Sequence, residues 1–298
     1  MKITEVAAAV IERPGEFLLA QRPEGKPYPG YWEFPGGKIE PGEPAAAALA
    51  RELHEELGID IGEAYPWLTR VFTYPHGTVR LRFYRVISWR DEPHPREDQA
   101  IAWQRPQAPM AVPMLPANAP VLASLALPAE YAITAAGRLG TAQMLACLER
   151  ALERGLKLLQ VREPEMDDAG RRLFTEQAIG LAHRYGCKVL TKARVGGADG
   201  IHFTAAGLMQ LQEKPPEGLA AASCHTRAEL ERAMQLELDF VAVGPVRDKA
   251  AIGWNGFAEL VAGSSIPVYA IGGLSPADRQ AAWRAGAHGI AMIRAAWA

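Results

Sequence analysis

The sequence predicts an α/β chain in two parts: an N-terminal part rich in strands with one clear helix, and a shortened C-terminal (β/α)8 barrel. Three observations predict this. The chain has 298 residues, long for one compact domain and comfortable for two. From about Ala129 onward, eight short apolar strands alternate with helical patterns. Between the two textures, Gln104 to Pro120 carries Pro106, Pro109, Pro113, Pro116 and Pro120. Proline that dense excludes a regular helix or central strand and reads as a loop or bridge. The expected domains are residues 1–128 and 129–298.

In order along the chain, Ile3–Glu12 and Glu16–Gln21 read as strands around a Pro14-Gly15 turn. Ala45–Leu57 is rich in Ala, Leu and Glu and reads as a helix. Thr78–Trp89 mostly alternates apolar and basic residues, as a half-buried antiparallel strand does. The barrel strands are expected at Tyr131–Thr134, Leu156–Val161, Lys188–Thr191, Gly200–Phe203, Ala220–Ser223, Phe240–Val243, Val268–Ile271 and Gly289–Ile293. Helices are expected between them at Thr141–Arg154, Asp168–Tyr185 and Arg227–Leu236. The barrel's residues fall short of the roughly 250 usual for this architecture, so some helices or loops must be shortened.

Composition narrows the function classes. Hydrophobic residues make up 49% and charged residues 22%, a globular balance. A formal net charge of -2 offers no basic field for long nucleic acid, though a small nucleotide held through a metal is compatible with it. Cys147, Cys187 and Cys224 lie far apart without a CxxC pair, which argues against zinc and fits a reducing cytoplasm. The N-terminal apolar run between Glu5 and Glu12 is too short for a signal peptide or a membrane span.

The most informative segment is GGKIEPGEPAAAALARELHEELGI, residues 36–59. On a helix, Glu52, Glu55 and Glu56 stand at i, i+3 and i+4, so one face presents three carboxylates. Unpaired they repel; a bound Mg²⁺ turns that cost into ligation by hard oxygen donors. Gly36 and Gly37 let the backbone turn tightly so that a carbonyl approaches the same metal. Gly58 reads as the helix C-cap, and Arg51 can pair with Glu43 or orient Glu52. His54 points away from the acidic face and reads as packing or surface. The competing reading of ELHEEL alone is a solvated helix with i,i+4 charge pairs.

The full spacing, with five residues from Gly37 to Glu43 and seven from Glu43 to Arg51, resembles the Nudix box at every position. That resemblance implies an α/β/α sandwich with a mixed sheet, a divalent metal (Mg²⁺ or Mn²⁺), and attack of water on a phosphorus of a nucleoside diphosphate linked to another group. Over roughly residues 1–126 the chain is similar to the MutT branch, which hydrolyses 8-oxo-dGTP to the monophosphate and pyrophosphate. By that resemblance Glu52 is the general base or a bridging carboxylate assisted by Arg51. Gly36, Gly37, Glu52, Glu55, Glu56 and Glu97 surround the metal, and Arg22, Phe34 and Asn118 meet the substrate. An Asn amide offers a donor and an acceptor, which suits an oxidised purine edge. Taken singly, Arg22 and Glu97 also read as surface charges and Asn118 as a helix cap. His76 and Gly77 depart from the family at a substrate-facing loop.

The second part, Tyr131 to Ala298, resembles thiamine-phosphate synthase and its relative TenI, a thiazole tautomerase. The pieces that carry the likeness are YAIT, LLQVRE, GADGIHF, SCHT, VAVGPV and AIGG. Gly272, Gly273 and Gly289 are the expected backbone cradle for a phosphorylated small molecule, against the plainer reading of turn glycines. His225 is a candidate proton shuttle, or SCHT is a strand end with an N-cap at Ser223 or Thr226. The chain departs from the synthase at Pro164, at Lys192-Ala193 and at TAAG (204–207), where it lacks a lysine and both metal carboxylates. Synthase activity is therefore not expected.

The leading expectation is a nucleotide-pool sanitising hydrolase, serving mutation avoidance, with an appended barrel. The alternatives are a Nudix hydrolase of thiamine-related pyrophosphates and a barrel that only senses a ligand.

Overall fold

The computed structural model describes residues 3–75, 77–97, 99–106, 111–248 and 250–298. His76 and Pro109, singled out above, lie outside the described residues. The chain divides into two compact units, Met1–Ala126 and Leu127–Ala298.

The first unit runs β1(Ile3–Arg13), β2(Glu16–Gln21), β3(Trp32–Glu33), β4(Gly36–Lys38), α1(Ala45–Leu57), β5(Asp60–Ile61), β6(Ala64–Tyr74), β7(Gly77–Val86), β8(Trp89–Arg90), β9(Ile101–Gln104) and α2(Ala119–Leu125). Its main sheet is ordered β3-β2-β1-β7-β6, with β4 on β1 and β9 on β2. Alternation along β1 explains the layers. Ala7, Ala9 and Ile11 pack with Ala48, Leu49, Leu53 and Leu57 of α1. Ala8 and Val10 face the other way, into a cluster with Val121 and Leu125 of α2. Helices thus cover both faces of a mixed sheet, the α/β/α sandwich expected.

Two expectations need correction. β7 is antiparallel only to β6; it runs parallel to β1 over Ile3 to Ile11. Its alternating pattern reports burial on one face and says nothing of strand direction. The proline-rich stretch is not loop throughout: Pro116–Asn118 forms a 3-10 turn and Pro120 lies in the first turn of α2. Proline is tolerated there because the first amides of a helix have no intrahelical acceptor to lose.

The second unit is a closed parallel barrel, β10-β11-β12-β13-β14-β15-β16-β17. It runs β10(Glu130–Ile133), α3(Ala136–Leu139), α4(Thr141–Glu153), β11(Leu158–Val161), α5(Asp168–Arg184), β12(Lys188–Thr191), β13(Gly200–Phe203), α6(Ala205–Gln210), β14(Leu219–Cys224), α7(Arg227–Gln235), β15(Phe240–Val243), α8(Gly253–Val261), β16(Val268–Ile271), α9(Arg279–Arg284) and β17(Gly289–Met292). The shortening falls mainly on α6 and α9, six residues each. The lumen is filled by Tyr131, Ile133, Leu158, Leu190, Ala221, Phe240, Tyr269 and Ala291. Alternate residues of the same strands face the helices in a larger cluster with Leu159, Val189, Val241 and Ile290.

Candidate active site

Helix α1 carries the acidic face because its other face is apolar. Leu49, Leu53 and Leu57 are fully buried, which fixes the helix against β1. The C-terminus is closed by Gly58, in the left-handed conformation with φ 68°, whose N–H donates to the His54 carbonyl. Glu52 and Glu56 are thereby turned toward the glycines of β4, while Glu55 stays exposed beside Arg51.

Both glycines are required by close approach. A Cβ on Gly36 would stand 2.2 Å from the Ala7 carbonyl oxygen, at a φ of 139°. A Cβ on Gly37 would stand 2.1 Å from the Glu52 carboxylate carbon. The Gly36 N–H donates to Glu56 Oε2 at 3.2 Å. Burial pushes the Glu56 carboxyl up to about 7, against the opposing pull of that amide and of Lys26.

Arg51 braces the acidic face. It donates to Glu43 at 3.0 and 3.1 Å, to Glu52 at 2.8 Å and to Glu55 at 3.3 Å. The hydrogen bonds from Arg51 and from the Glu40 amide hold Glu43 below the usual carboxylate range. Both pairings expected of Arg51 are thus present together. His54 is exposed and pairs with Asp60 at 2.9 Å, away from this face.

Glu97 reaches the site on a loop that docks on the end of α1. The His94 and Arg96 amides donate to the Leu57 and Glu56 carbonyls. Gln99, 7% exposed, accepts from the Glu97 amide at 2.7 Å and donates to the Glu56 carbonyl at 3.0 Å. No spacing in the sequence marks Gln99. Lys26 donates to Glu97 at 2.9 Å and lies 3.7 Å from Glu56. Burial works to lower the Lys26 pKa, but Glu97, Glu56 and Glu33 together hold it above its ordinary value.

Four carboxylates beside a backbone turn are the hard oxygen donors that a divalent cation takes. A cation at Glu56 would relieve the cost of burying that carboxylate. The donor chemistry therefore fits a divalent metal. As placed, no three His, Cys, Asp or Glu side chains among the described residues converge closely enough to enclose an ion. Lys26 and Arg51 supply positive charge among them instead.

The expected substrate residues fare unequally. Arg22 is committed to Glu33, with contacts of 2.6 and 2.5 Å, and to the Pro27 carbonyl. Burial raises the Glu33 carboxyl above its ordinary range even against that arginine. Phe34 is corrected. Its ring is 4% exposed and packs between Phe17 and Phe83, at 5.8 and 5.7 Å, so the side chain belongs to the core. Trp32, two residues before it, packs against the same cluster, whereas Glu33 between them faces the other way toward Arg22, as alternation requires. Asn118 is 4% exposed, and its Nδ2 reaches the Trp32 carbonyl at 3.4 Å. It makes no side-chain cap on α2, so the helix-cap reading fails. Its Oδ1 accepts no hydrogen bond among the described residues. Tyr28, Tyr31, Phe72 and Tyr74 form an aromatic cluster, with ring centroids 4.6 to 5.5 Å apart. The sequence did not single these residues out, because two distant chain segments supply them.

In the barrel, Gly272 and Gly273 follow the C-terminal end of β16, with φ of 110° and 67°. Gly289 is corrected. It opens β17 at the opposite end, paired with Tyr269, where a Cβ would stand 2.1 Å from the Ala129 carbonyl oxygen. Its role is close strand packing, remote from the barrel end that carries ligand loops. His225 Nδ1 lies 2.8 Å from the Gly244 carbonyl. A carbonyl only accepts, so Nδ1 donates this bond and Nε2 is the ring nitrogen not engaged by it. Thr226 caps α7 in a reciprocal box with Glu229, so the N-cap falls there and not at Ser223. Thr204 is likewise spent on capping α6, and Lys192 is exposed. A buried network escaped the sequence reading: His202 lies 3.0 Å from both Tyr131 Oη and Ser223 Oγ.

The fold and the acidic helix define a hydrolase domain joined to a parallel-barrel domain. Comparison with known proteins gives the families. The NUDIX domain model matches residues 1–125, and the thiamine monophosphate synthase model matches residues 130–296. The chain belongs to both families: a Nudix hydrolase domain followed by a thiamine-phosphate synthase-like barrel. It is 42% identical over 124 residues to the CTP pyrophosphohydrolase of Escherichia coli (strain K12), covering 41% of this chain and 90% of that protein. It is 40% identical over 122 residues to the 8-oxo-dGTP diphosphatase of Haemophilus influenzae, covering 41% of this chain and 90% of that protein. The barrel is 33% identical over 180 aligned residues to a putative thiamine-phosphate synthase of Geobacter sulfurreducens, covering 55% of this chain and 84% of that protein.

Proposed function

We propose that the N-terminal domain hydrolyses a nucleoside triphosphate to the monophosphate and pyrophosphate, with 8-oxo-dGTP as the preferred substrate and Mg²⁺ as the metal. The observation that carries the hydrolysis is the Gly36–Gly37 turn seated against Glu56 and Glu52, with Arg51 bracing Glu52 and Lys26 reaching both Glu56 and Glu97. A bound divalent cation there supplies charge neutralisation for the bridging phosphates and a more acidic water. Glu52, held by Arg51 and seated on Gly37, is placed to accept the proton of the attacking water. Glu55, Glu56 and Glu97 hold the cation. The Asn118 amide, with its Oδ1 uncommitted, meets the altered purine edge, and the Tyr28–Tyr74 cluster offers a ring surface for the base. The direct test is initial-rate hydrolysis of 8-oxo-dGTP, dGTP, CTP and thiamine diphosphate with Mg²⁺. Preference for 8-oxo-dGTP supports the reading; preference for CTP or thiamine diphosphate overturns its substrate.

The barrel reading is narrower. Gly272 and Gly273 hold a phosphorylated small molecule through backbone amides, with His225 Nε2 available for proton transfer and no synthase turnover. Calorimetry with thiamine phosphate, and a coupled synthase assay, test the two halves separately.

A further inference from the structure

Lys26 is the residue of the catalytic face that no motif explains. It stands in the loop between β2 and β3, outside the acidic helix and outside the Nudix box. Its ammonium nevertheless ends between two carboxylates from distant parts of the chain. Glu97 Oε2 lies 2.9 Å away and Glu56 Oε1 lies 3.7 Å away. Glu56 is the more buried partner, its side chain 13% exposed against 42% for Glu97. An ammonium is a compact point charge on a flexible four-carbon stem, so it can enter such a space and leave it without moving the backbone.

We infer that Lys26 is an internal counter-ion that occupies the carboxylate pair Glu56–Glu97 and competes with the divalent cation for it. The inference rests on the proposed metal role of Glu56 and Glu97. Without a cation the two carboxylates would be left facing each other, one of them largely desolvated, and Lys26 offsets that repulsion. A divalent cation at these oxygens would meet the ammonium as a like charge only a few ångströms away, so metal binding is opposed until the flexible lysine swings out. The domain therefore binds metal more weakly than its four carboxylates alone would allow. The freed ammonium is left beside the site, where the negative charge of a triphosphate gives it a new partner. Arg51 does not play this part. Its contacts with Glu43, Glu52 and Glu55 are those of a fixed fork, and Glu43 keeps it anchored at the rim.

The test reads metal binding directly, without turnover. Mn²⁺ is titrated into the full-length chain in the absence of nucleotide, and free Mn²⁺ is followed by electron paramagnetic resonance. Lys26→Met should tighten the dissociation constant by on the order of three- to tenfold, the scale of losing one partly exposed competing ion pair. Lys26→Arg, which keeps the charge, should stay within twofold of the parent. Lys38→Met is the control for bulk charge, since Lys38 is on the adjoining strand β4 and has no ion pair among the described residues. In a Glu97→Gln background the gain from Lys26→Met should shrink. Unchanged or weaker binding by Lys26→Met overturns the inference, as does an equal gain from Lys38→Met. If the parent shows no saturable Mn²⁺ binding, the metal assignment itself fails and the inference with it. Ordinary parental binding with an inert Lys26→Met leaves the metal assignment standing and removes only Lys26.

Discussion

Glu52 is held from two sides, by the Arg51 guanidinium at 2.8 Å and by the bare Cα of Gly37. Glu52→Gln keeps the volume and the hydrogen bond but loses the basic oxygen. Turnover should fall by roughly 10²–10⁴, the range for losing a positioned general base, with Mn²⁺ binding much less affected. Steady-state kinetics beside a metal titration check this, and a parental rate would remove Glu52 from the chemistry. Asn118 makes a different kind of claim. Asn118→Ala should reduce the preference for 8-oxo-dGTP over dGTP while leaving the metal requirement intact, because the amide is argued to meet the base and not the phosphates. A ratio of kcat/KM equal to the parent's would rule that out. At this scale the sequence placed the carboxylates correctly on one face, since helix geometry is local. It could not see that Arg22 is committed to Glu33, or that Phe34 is core, because both depend on partners from distant segments that meet around the short strand β3 and the residue after it.

Elements β4 and α1 meet at two adjacent glycines, and the pair separates stability from catalysis. Gly36→Ala would drive a methyl into the Ala7 carbonyl at 2.2 Å, in a backbone conformation that L side chains rarely adopt. A rigid backbone atom cannot yield, so the β1–β4 pairing should be lost at a cost of roughly 2 kcal/mol or more. Gly37→Ala meets only the end of the Glu52 side chain, which can swing away. The fold should survive with a melting temperature near the parent's. Activity should fall on the order of a hundredfold, as expected when a catalytic group is displaced by about 1 Å. Thermal melts and kcat/KM on the two variants read the difference; equal losses of stability would contradict the assignment. The pattern of the Nudix box marked both glycines. Their different duties became visible only with β1 and Glu52 in place around them.

The whole molecule contains a titrating group that neither motif announced. His202 sits in the barrel lumen between Tyr131 and Ser223, and burial pushes its pKa down to about 3, with Arg162 adding to the effect. Unfolded, it would titrate near 6.5. The folded pKa is the depressed one, so the neutral ring's contribution to barrel stability is fully present above pH 6.5. That contribution is lost progressively as pH falls from there toward about 3. Its slope approaches about 1.4 kcal/mol per pH unit while only the unfolded chain takes up the proton. His202→Gln should be less stable than the parent at pH 7, with the gap narrowing between pH 6 and 4. Denaturant titrations at matched pH values measure the gap and cancel the carboxylates common to both proteins; a constant gap would show that His202 is not buried neutral. No helix among the described residues is long and apolar enough to cross a membrane.

What the sequence determined by itself is what short-range periodicity encodes. The eight barrel strands, the helix Ala45–Leu57 and the acidic face of that helix were all legible. Alternation of period two or 3.6 is enforced within a few residues, by side-chain direction alone. Tertiary structure decided whatever joins distant segments. The parallel pairing of β7 with β1 depends on a partner more than 70 residues away. The same holds for the docking of Gln99 on the end of α1, for the Tyr131–His202–Ser223 network and for the place of Lys26 between Glu56 and Glu97. It also decided that Gly289 and Gly273, close in sequence and alike in type, lie at opposite ends of the barrel. A strand separates its ends by the length of its residues, and in a parallel barrel only the C-terminal end carries the ligand loops.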